Sequence, residues 1–295
     1  GARAVTIGRA GATAPDALVV RGVPVSDNKR ADFALETFDI FTPDARIVEM
    51  TDQGERPVAR PTVKLYQGRS TDGAGDMFLA VDGDKIQGVV RHGGRTEYLL
   101  PMDGGRLALA PGASMPVLSV SATDYCATDY LPENLQWLSR WSEQETASRS
   151  LTVNGPLRET DFMIDVNQSL TTWLGGSSGA TTYVTLLIGA ASAIYQRDVN
   201  ARMRISRLTV WTTADPFVNT NSSAQLNAYR DYCNSNRTGV SRDLAHLFGN
   251  ANVTGGSGIA YLGVLCNTSF GYGVSNVFGS ATLPTPSYHW DLDVT

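Results

Sequence analysis

Three histidines and three cysteines carry the metal and thiol chemistry open to this chain of 295 residues. The histidines are His92, His246 and His289, and the cysteines are Cys126, Cys233 and Cys266. A catalytic zinc needs three protein ligands, an open water position and a glutamate as general base. No two of these histidines stand at i and i+4, so the H-E-x-x-H pattern that places two imidazoles on one helix face is absent. Each histidine reads instead as a surface or hydrogen-bonded imidazole. Three cysteines read as one pair and one leftover thiol, and they exclude a disulfide-dense small scaffold. A nucleophilic serine is offered by Gly175-Gly176-Ser177-Ser178-Gly179, which satisfies G-x-S-x-G and precedes a helix-like run. That motif works as a tight elbow from strand to helix, and the nearest strand-like run, Asp161 to Val166, ends too early to supply one. A serine hydrolase using Ser177 is therefore the lesser alternative, beside a plain Gly/Ser-rich surface loop.

Composition narrows the remaining classes. The net charge is −5, 18% of residues are charged and 42% are hydrophobic. Such a chain can build real cores, and its length accommodates two domains. No cationic stripe is present, which argues against nucleic acid as a partner. The longest apolar run, Tyr183 to Tyr195, contains Gly189 and falls short of the ~20 residues that span a bilayer, so no transmembrane segment is expected. Gly1 begins without a signal-like charged and apolar lead-in, so a secretion signal is expected to be removed or to lie outside these residues. Asn-x-Ser/Thr acceptors stand at Asn167, Asn221, Asn236, Asn252 and Asn267, relevant only in a eukaryotic secretory pathway.

The elements that must position any site differ between the halves. Asp76 to Val81 and Lys85 to Arg91 alternate around Asp82-Gly83-Asp84, with His92-Gly93-Gly94 and Asp103-Gly104-Gly105 as further turns. Residues 1 to about 120 thus read as mostly β. From Ser119 to Gly155 the chain becomes polar, with a charged run from Ser139 to Arg149, and reads as an exposed connector with a partial helix. Arg140 to Arg158 is the expected processing zone, because mobile unburied backbone is where proteases cut. The second half reads as α/β: strands at Asp161 to Val166 and Met203 to Thr212, helices at Ala180 to Arg197 and Gln225 to Asn234, and a short strand at Ile259 to Leu265 fenced by glycines.

An ordered series of segments in this half resembles the reprolysin-like (adamalysin-type) metzincin zinc proteases. The segments are Ala193 to Val199, Leu208 to Thr212 with Asp215-Pro216-Phe217, Arg242 to Phe248, and Gly258 to Gly263. The resemblance covers roughly residues 156 to 295 and implies an edge strand beside the active-site cleft. An exposed edge offers unpaired N–H and C=O groups, so an extended polypeptide can add to it as an antiparallel strand. Gly258, Ile259, Ala260, Tyr261 and Leu262 are the substrate-binding residues this implies. The resemblance places the first half as a propeptide bound to its own catalytic domain, and Cys126 as the thiol that would fill the zinc's open position. Cys233 and Cys266 both fall in the protease half and are the implied disulfide, against two buried thiols. In that family H-E-x-x-H-x-x-G-x-x-H would begin near Thr295, with Asp291, Leu292 and Val294 starting its helix.

The expected molecule is α+β with α/β character. A β-rich propeptide-like domain spans residues 1–155, with its connector from about 120, and residues 156–295 form the N-terminal subdomain of a metzincin-type catalytic domain. The expected function is that of a precursor fragment of a secreted, extracellular zinc metalloendopeptidase acting on polypeptide substrates. Zinc belongs to the full-length protein, no ligand for it lies within this chain, and the fragment itself is expected to be inactive. The alternative is a secreted pseudoprotease or binding module whose edge strand is an interaction surface.

Overall fold

Turn chemistry builds the first sheet. Strands β8 (Gly75–Asp82) and β9 (Lys85–His92) close with Asp82 opposite Lys85, and Gly83 takes the positive φ of 61° that this tight reversal requires. The next hairpin pairs His92 with Arg95 of β10 (Arg95–Met102) across Gly93 and Gly94, at φ 56° and 76°. Two central residues at positive φ match the right-handed twist of the strands they join. The computed structural model describes residues 3–4, 6–9, 16–26, 28–83, 85–102, 106–111, 127–128, 131–135, 155–217, 221–250 and 257–277.

The chain divides into two units. The first comprises Gly1–Asp39, Pro61–Leu118 and Ser280–His289, and the second Ile40–Arg60, Ser119–Gly279 and Trp290–Thr295. The first unit adds β1 (Arg3–Ala4), β2 (Thr6–Arg9), β3 (Ala17–Ser26), β4 (Lys29–Phe38), β7 (Lys64–Ser70) and β11 (Arg106–Pro111). Among the described residues its strands run β1-β11-β10-β9-β8-β7-β4-β3-β2, each antiparallel to its neighbours. Alternate residues such as Val20, Phe33, Leu35, Met77, Leu79, Val90, Leu99 and Leu109 form its core, the period-2 signature of a half-buried sheet.

The second unit is a mixed sheet with helices. Strand β12 (Arg158–Val166) is central, with β13 (Ala201–Trp211) on one side and β14 (Leu244–Asn250) on the other, both parallel to it. The order is β15-β16-β14-β12-β13-β5-β6, with β15 at Gly258–Ala260 and β16 at Tyr272–Val277. Helix α1 (Gln168–Trp173) and α2 (Ser177–Val199) connect β12 to β13, and α3 (Ser222–Asn236) follows. Asn167 and Asn221 cap α1 and α3, their side-chain oxygens accepting the backbone N–H of Leu170 and Ala224 at 2.8 Å. Asn167 is 2% exposed, which removes it as a glycan acceptor in the folded protein. Helix α2 buries Tyr183 to Ser192, and the Ser192 hydroxyl ties it to both backbone groups of Met203 on β13.

Two features of this sheet come from pairing between distant segments. Strand β5 (Phe41–Thr51) and β6 (Gly54–Pro57) come from the β-rich first half, yet β5 runs parallel to β13 with Leu208 opposite Ile47 and Val210 opposite Glu49. The described contacts therefore divide the chain at residues 40 and 60 as well as in the connector. The Arg242 to Phe248 block runs into strand β14 at His246. Ala245, Leu247 and Phe248 are buried between β12 and β16, and parallel pairing on both sides outweighs any local helical preference.

Candidate substrate-binding edge

Strand β15 is antiparallel to β16, with Gly258 opposite Ser275, Ile259 opposite Val274 and Ala260 opposite Gly273. Among the described residues it is the outermost strand on its side of the sheet. The ladder to β16 continues beyond its ends, because Asn276 N–H donates to Ser257 O at 2.6 Å and Tyr261 N–H to Tyr272 O at 3.2 Å. Backbone groups alternate sides along a strand. Ser257 and Tyr261 thus face β16, and Gly258, Ala260 and Leu262 present their N–H and C=O groups outward.

Side chains hold this strand to the core. Ile259 is 3% exposed and packs with Met163, Leu247, Tyr272 and Val274. The Tyr261 hydroxyl donates to Asn227 Oδ1 and accepts from Arg230 Nη1, both at 2.6 Å, which fixes β15 against α3. The Arg230 guanidinium also lies over the Tyr261 and Phe270 rings, at 5.7 and 5.6 Å from their centroids. All five residues expected at the edge are thus contiguous in space. The regular strand is shorter than expected: it stops at Ala260, and the backbone turns between Leu262 and Cys266, where Cys266 sits at φ 62°.

The described histidines and cysteines sit as follows in the two units. His246 on β14 hydrogen-bonds Ser275 Oγ through Nε2 at 2.8 Å and packs beside Phe248, and burial pushes its pKa down to about 4. His92 in the first unit contacts Asp72 Oδ2 through Nε2 at 3.0 Å. No cluster of three His, Cys, Asp or Glu side chains occurs among the described residues. Cys233 and Cys266 are free thiols, not the expected disulfide. Cys233 lies on the inner face of α3 within the aromatic core and burial pushes its thiol pKa up, whereas Cys266 is exposed in the turn with Asp243 Oδ1 at 3.5 Å. Cys126, His289, Asp291, Leu292 and Val294 lie outside the described residues.

Ser177 opens α2 behind a helix and a glycine turn, with Gly176 at φ 102°, so the strand that a nucleophile elbow needs is not there. Its hydroxyl donates to Glu49 Oε2, and that bond is the main cause holding the Glu49 carboxyl below its ordinary range. The serine hydrolase alternative loses its geometric basis.

Sequence reasoning missed a buried polar hub beneath β12. Asp165 accepts from Trp211 Nε1 at 2.9 Å and Tyr229 hydroxyl at 3.1 Å, and burial raises its pKa against the opposing charge of Arg237. It also read the connector as exposed, whereas Ala127, Leu131 and Asn134 are buried. An Asp inside an otherwise apolar strand was the available signal for the hub.

Residues 157–295 match the family model Reprolysin_5, described as Metallo-peptidase family M12. Among solved structures, the crystal structure of metalloproteinase-II from Bacteroides fragilis aligns at 10% identity over 90% of this chain and 78% of that one, with a TM-score of 0.41. A structure titled as a chaperone-substrate complex aligns at 11% identity over 65% of this chain and 25% of that one, with a TM-score of 0.34. No curated protein sequence matches the chain. Through residues 157–295, just under half of its length, this chain is thus similar to the reprolysin-like metallopeptidases of family M12.

Proposed function

We propose that residues 156–295 form the substrate-holding subdomain of a secreted, zinc-dependent metalloendopeptidase, and that residues 1–155 act as its propeptide, released by cleavage between Arg140 and Arg158. The observation that carries this reading is the antiparallel strand β15 at one end of the sheet, beside the parallel run β16-β14-β12-β13-β5. A polypeptide laid antiparallel to it is gripped by backbone alone. Ile259 and Tyr261 point their side chains into the core, so little remains at the edge to read a substrate's side chains, and broad specificity follows.

Zinc is the metal this family implies. The residues present do not fit it: the described histidines are committed to Ser275 and Asp72, and the sequence contains no H-E-x-x-H. No step is assigned to a metal held by residues 1–295. Their part is to bind the peptide, orient its backbone and hold it in register.

The test is Ala260→Pro in a form of the enzyme that carries the zinc motif. Proline removes the outward N–H and its ring disturbs the strand. Peptide turnover is expected to fall at least about tenfold, the equivalent of roughly 1.4 kcal/mol in the transition state. Unchanged kcat/KM would sink the assignment of β15. Residues 1–295 alone are expected to show no chelator-sensitive peptidase activity.

A further inference from the structure

The polar hub of the second unit gathers more positive charge than its carboxylates balance. Arg46 on β5, Arg207 on β13 and Arg237 at the C-terminal end of α3 all reach Glu55 of β6. Glu55 Oε1 accepts from Arg237 Nη1 at 2.6 Å and from Arg207 Nη2, and Arg46 Nη2 stands 3.8 Å from Oε2. The other acid of the hub is Asp165. Its oxygens accept from Trp211 and Tyr229 rather than from an arginine, and burial raises its pKa, so it is a poor counter-charge. Burial and the neighbouring Arg237 guanidinium push the pKa of Arg207 down, the mark of crowded cations.

One edge of Arg237 is left over. Its Nε and Nη2 atoms are buried and have no hydrogen-bond partner among the described residues. These two N–H groups point the same way from a guanidinium and form the fork that grips an anion through two parallel hydrogen bonds. The fork is held rigid from its other sides. Nη1 is taken by Glu55, the guanidinium carbon lies 5.7 Å from the Tyr232 ring centroid, and Tyr232 stands edge-on to Trp211 at 5.8 Å. Arg207 Nε, by contrast, is satisfied, donating to Thr209 Oγ1 at 3.1 Å. A buried charged donor without an acceptor is costly, and Arg237, 7% exposed, cannot swing its fork into bulk water.

We propose that the Nε and Nη2 fork of Arg237 is a binding site for a small monovalent anion, either a halide or a carboxylate of formate size. Arg207 and Arg46 supply the surrounding positive field, and Glu55 fixes the guanidinium from its opposite end. The site joins α3, β13 and the β5–β6 hairpin, so its occupant strengthens the second unit where these elements meet. It depends neither on zinc nor on the reading of β15.

Thermal unfolding of residues 1–295 tests it, with sodium gluconate, too bulky for the fork, exchanged for sodium chloride, bromide or formate at constant ionic strength so that screening is unchanged. A site offered only by the folded chain raises the midpoint in a saturable way, by at least about 2 °C when the anion is about tenfold above its dissociation constant. A rise with chloride and bromide alone assigns a halide, and a rise with formate alone assigns a carboxylate. Arg237→Lys keeps the charge but loses the fork, so its midpoint should stay flat. Glu55→Gln removes the nearest negative charge and should reach half of its rise at a lower anion concentration than the native chain. Crystals grown in bromide should show an anomalous peak within hydrogen-bond distance of Nε and Nη2. A flat native midpoint overturns the site and leaves water as the fork's partner. Equal rises in the native chain and Arg237→Lys, or bromide found only elsewhere, overturn it in favour of general surface binding. Should Arg237→Lys fail to fold, the Glu55→Gln titration and the bromide peak decide: a higher half-rise concentration or an empty fork overturns the proposal.

Discussion

Burial holds the His246 imidazole neutral, with its pKa near 4 in place of the ordinary 6.5. The folded state therefore resists a proton that the unfolded chain takes up below pH 6.5, so this group's contribution to stability is full above that pH and is lost as pH falls toward 4. The loss is about 3 kcal/mol at most, scaled from the shift. Urea unfolding at pH 7 and pH 4.5 checks it: the gap in midpoint between the two pH values should shrink in His246→Asn. An equal gap in both proteins would contradict the assignment. Spacing alone read this histidine as a surface or hydrogen-bonded imidazole, but its partner Ser275, 29 residues away, was not legible. The same distance problem defeated the Cys233–Cys266 pairing, since sharing a domain says nothing about whether two thiols face one another. Asn134 was invisible for a related reason: a lone asparagine in a polar stretch carries no pattern, and only the turn that folds it against β15 gives it a role.

Elements with strong local rules were readable and those made by distant pairing were not. The hairpins around Gly83 and Gly93-Gly94, and the helices α2 and α3, follow from turn residues and apolar periodicity in the sequence. Strand β14 depends on pairing with β12 and β16 rather than on its own pattern, and the membership of β5 in the second sheet depends on β13, a neighbour more than a hundred residues away in the chain. The β5–β6 hairpin also brings a charge that its sequence does not advertise. Glu55 Oε1 accepts from Arg237 Nη1 at 2.6 Å and from Arg207 Nη2, and despite partial burial the two guanidinium groups hold its carboxyl below the ordinary range. Arg207 and Arg237 are 4% and 7% exposed, so they cannot turn to water for compensation. Glu55→Gln should cost about 2 to 3 kcal/mol, since the carboxylate is itself partly solvated and breaking a buried pair costs 3–5 at most. Chemical denaturation reads this directly, and a change within about 0.5 kcal/mol, the range of ordinary surface substitutions, would show the pair to be incidental.

At the scale of the whole molecule, chain from before residue 155 reaches both sides of the second unit's sheet. On the β13 side, β5 pairs in parallel from Phe41 to Met50 and β6 follows it. On the β15 side, Ala127, Thr128 and Asn134 satisfy the outward groups. Unpaired edges of this kind invite pairing with other chains, and exposed apolar surface adds to the hazard. A chain beginning at residue 156 keeps β12, β13, β14, β15 and β16 but loses both coverings, together with the Glu55 carboxylate that balances Arg207 and Arg237. It should bind a hydrophobic dye, unfold at lower temperature than residues 1–295 and associate as concentration rises. Residues 1–155 supplied as a separate chain should restore a soluble complex, because the covering contacts are non-covalent and need no continuous backbone. Restoration would show that the first half assists the second as a folding partner. A stable, monomeric 156–295 with no dye binding would mean that the sheet edges tolerate water unaided, and that the first half is not needed as a folding partner.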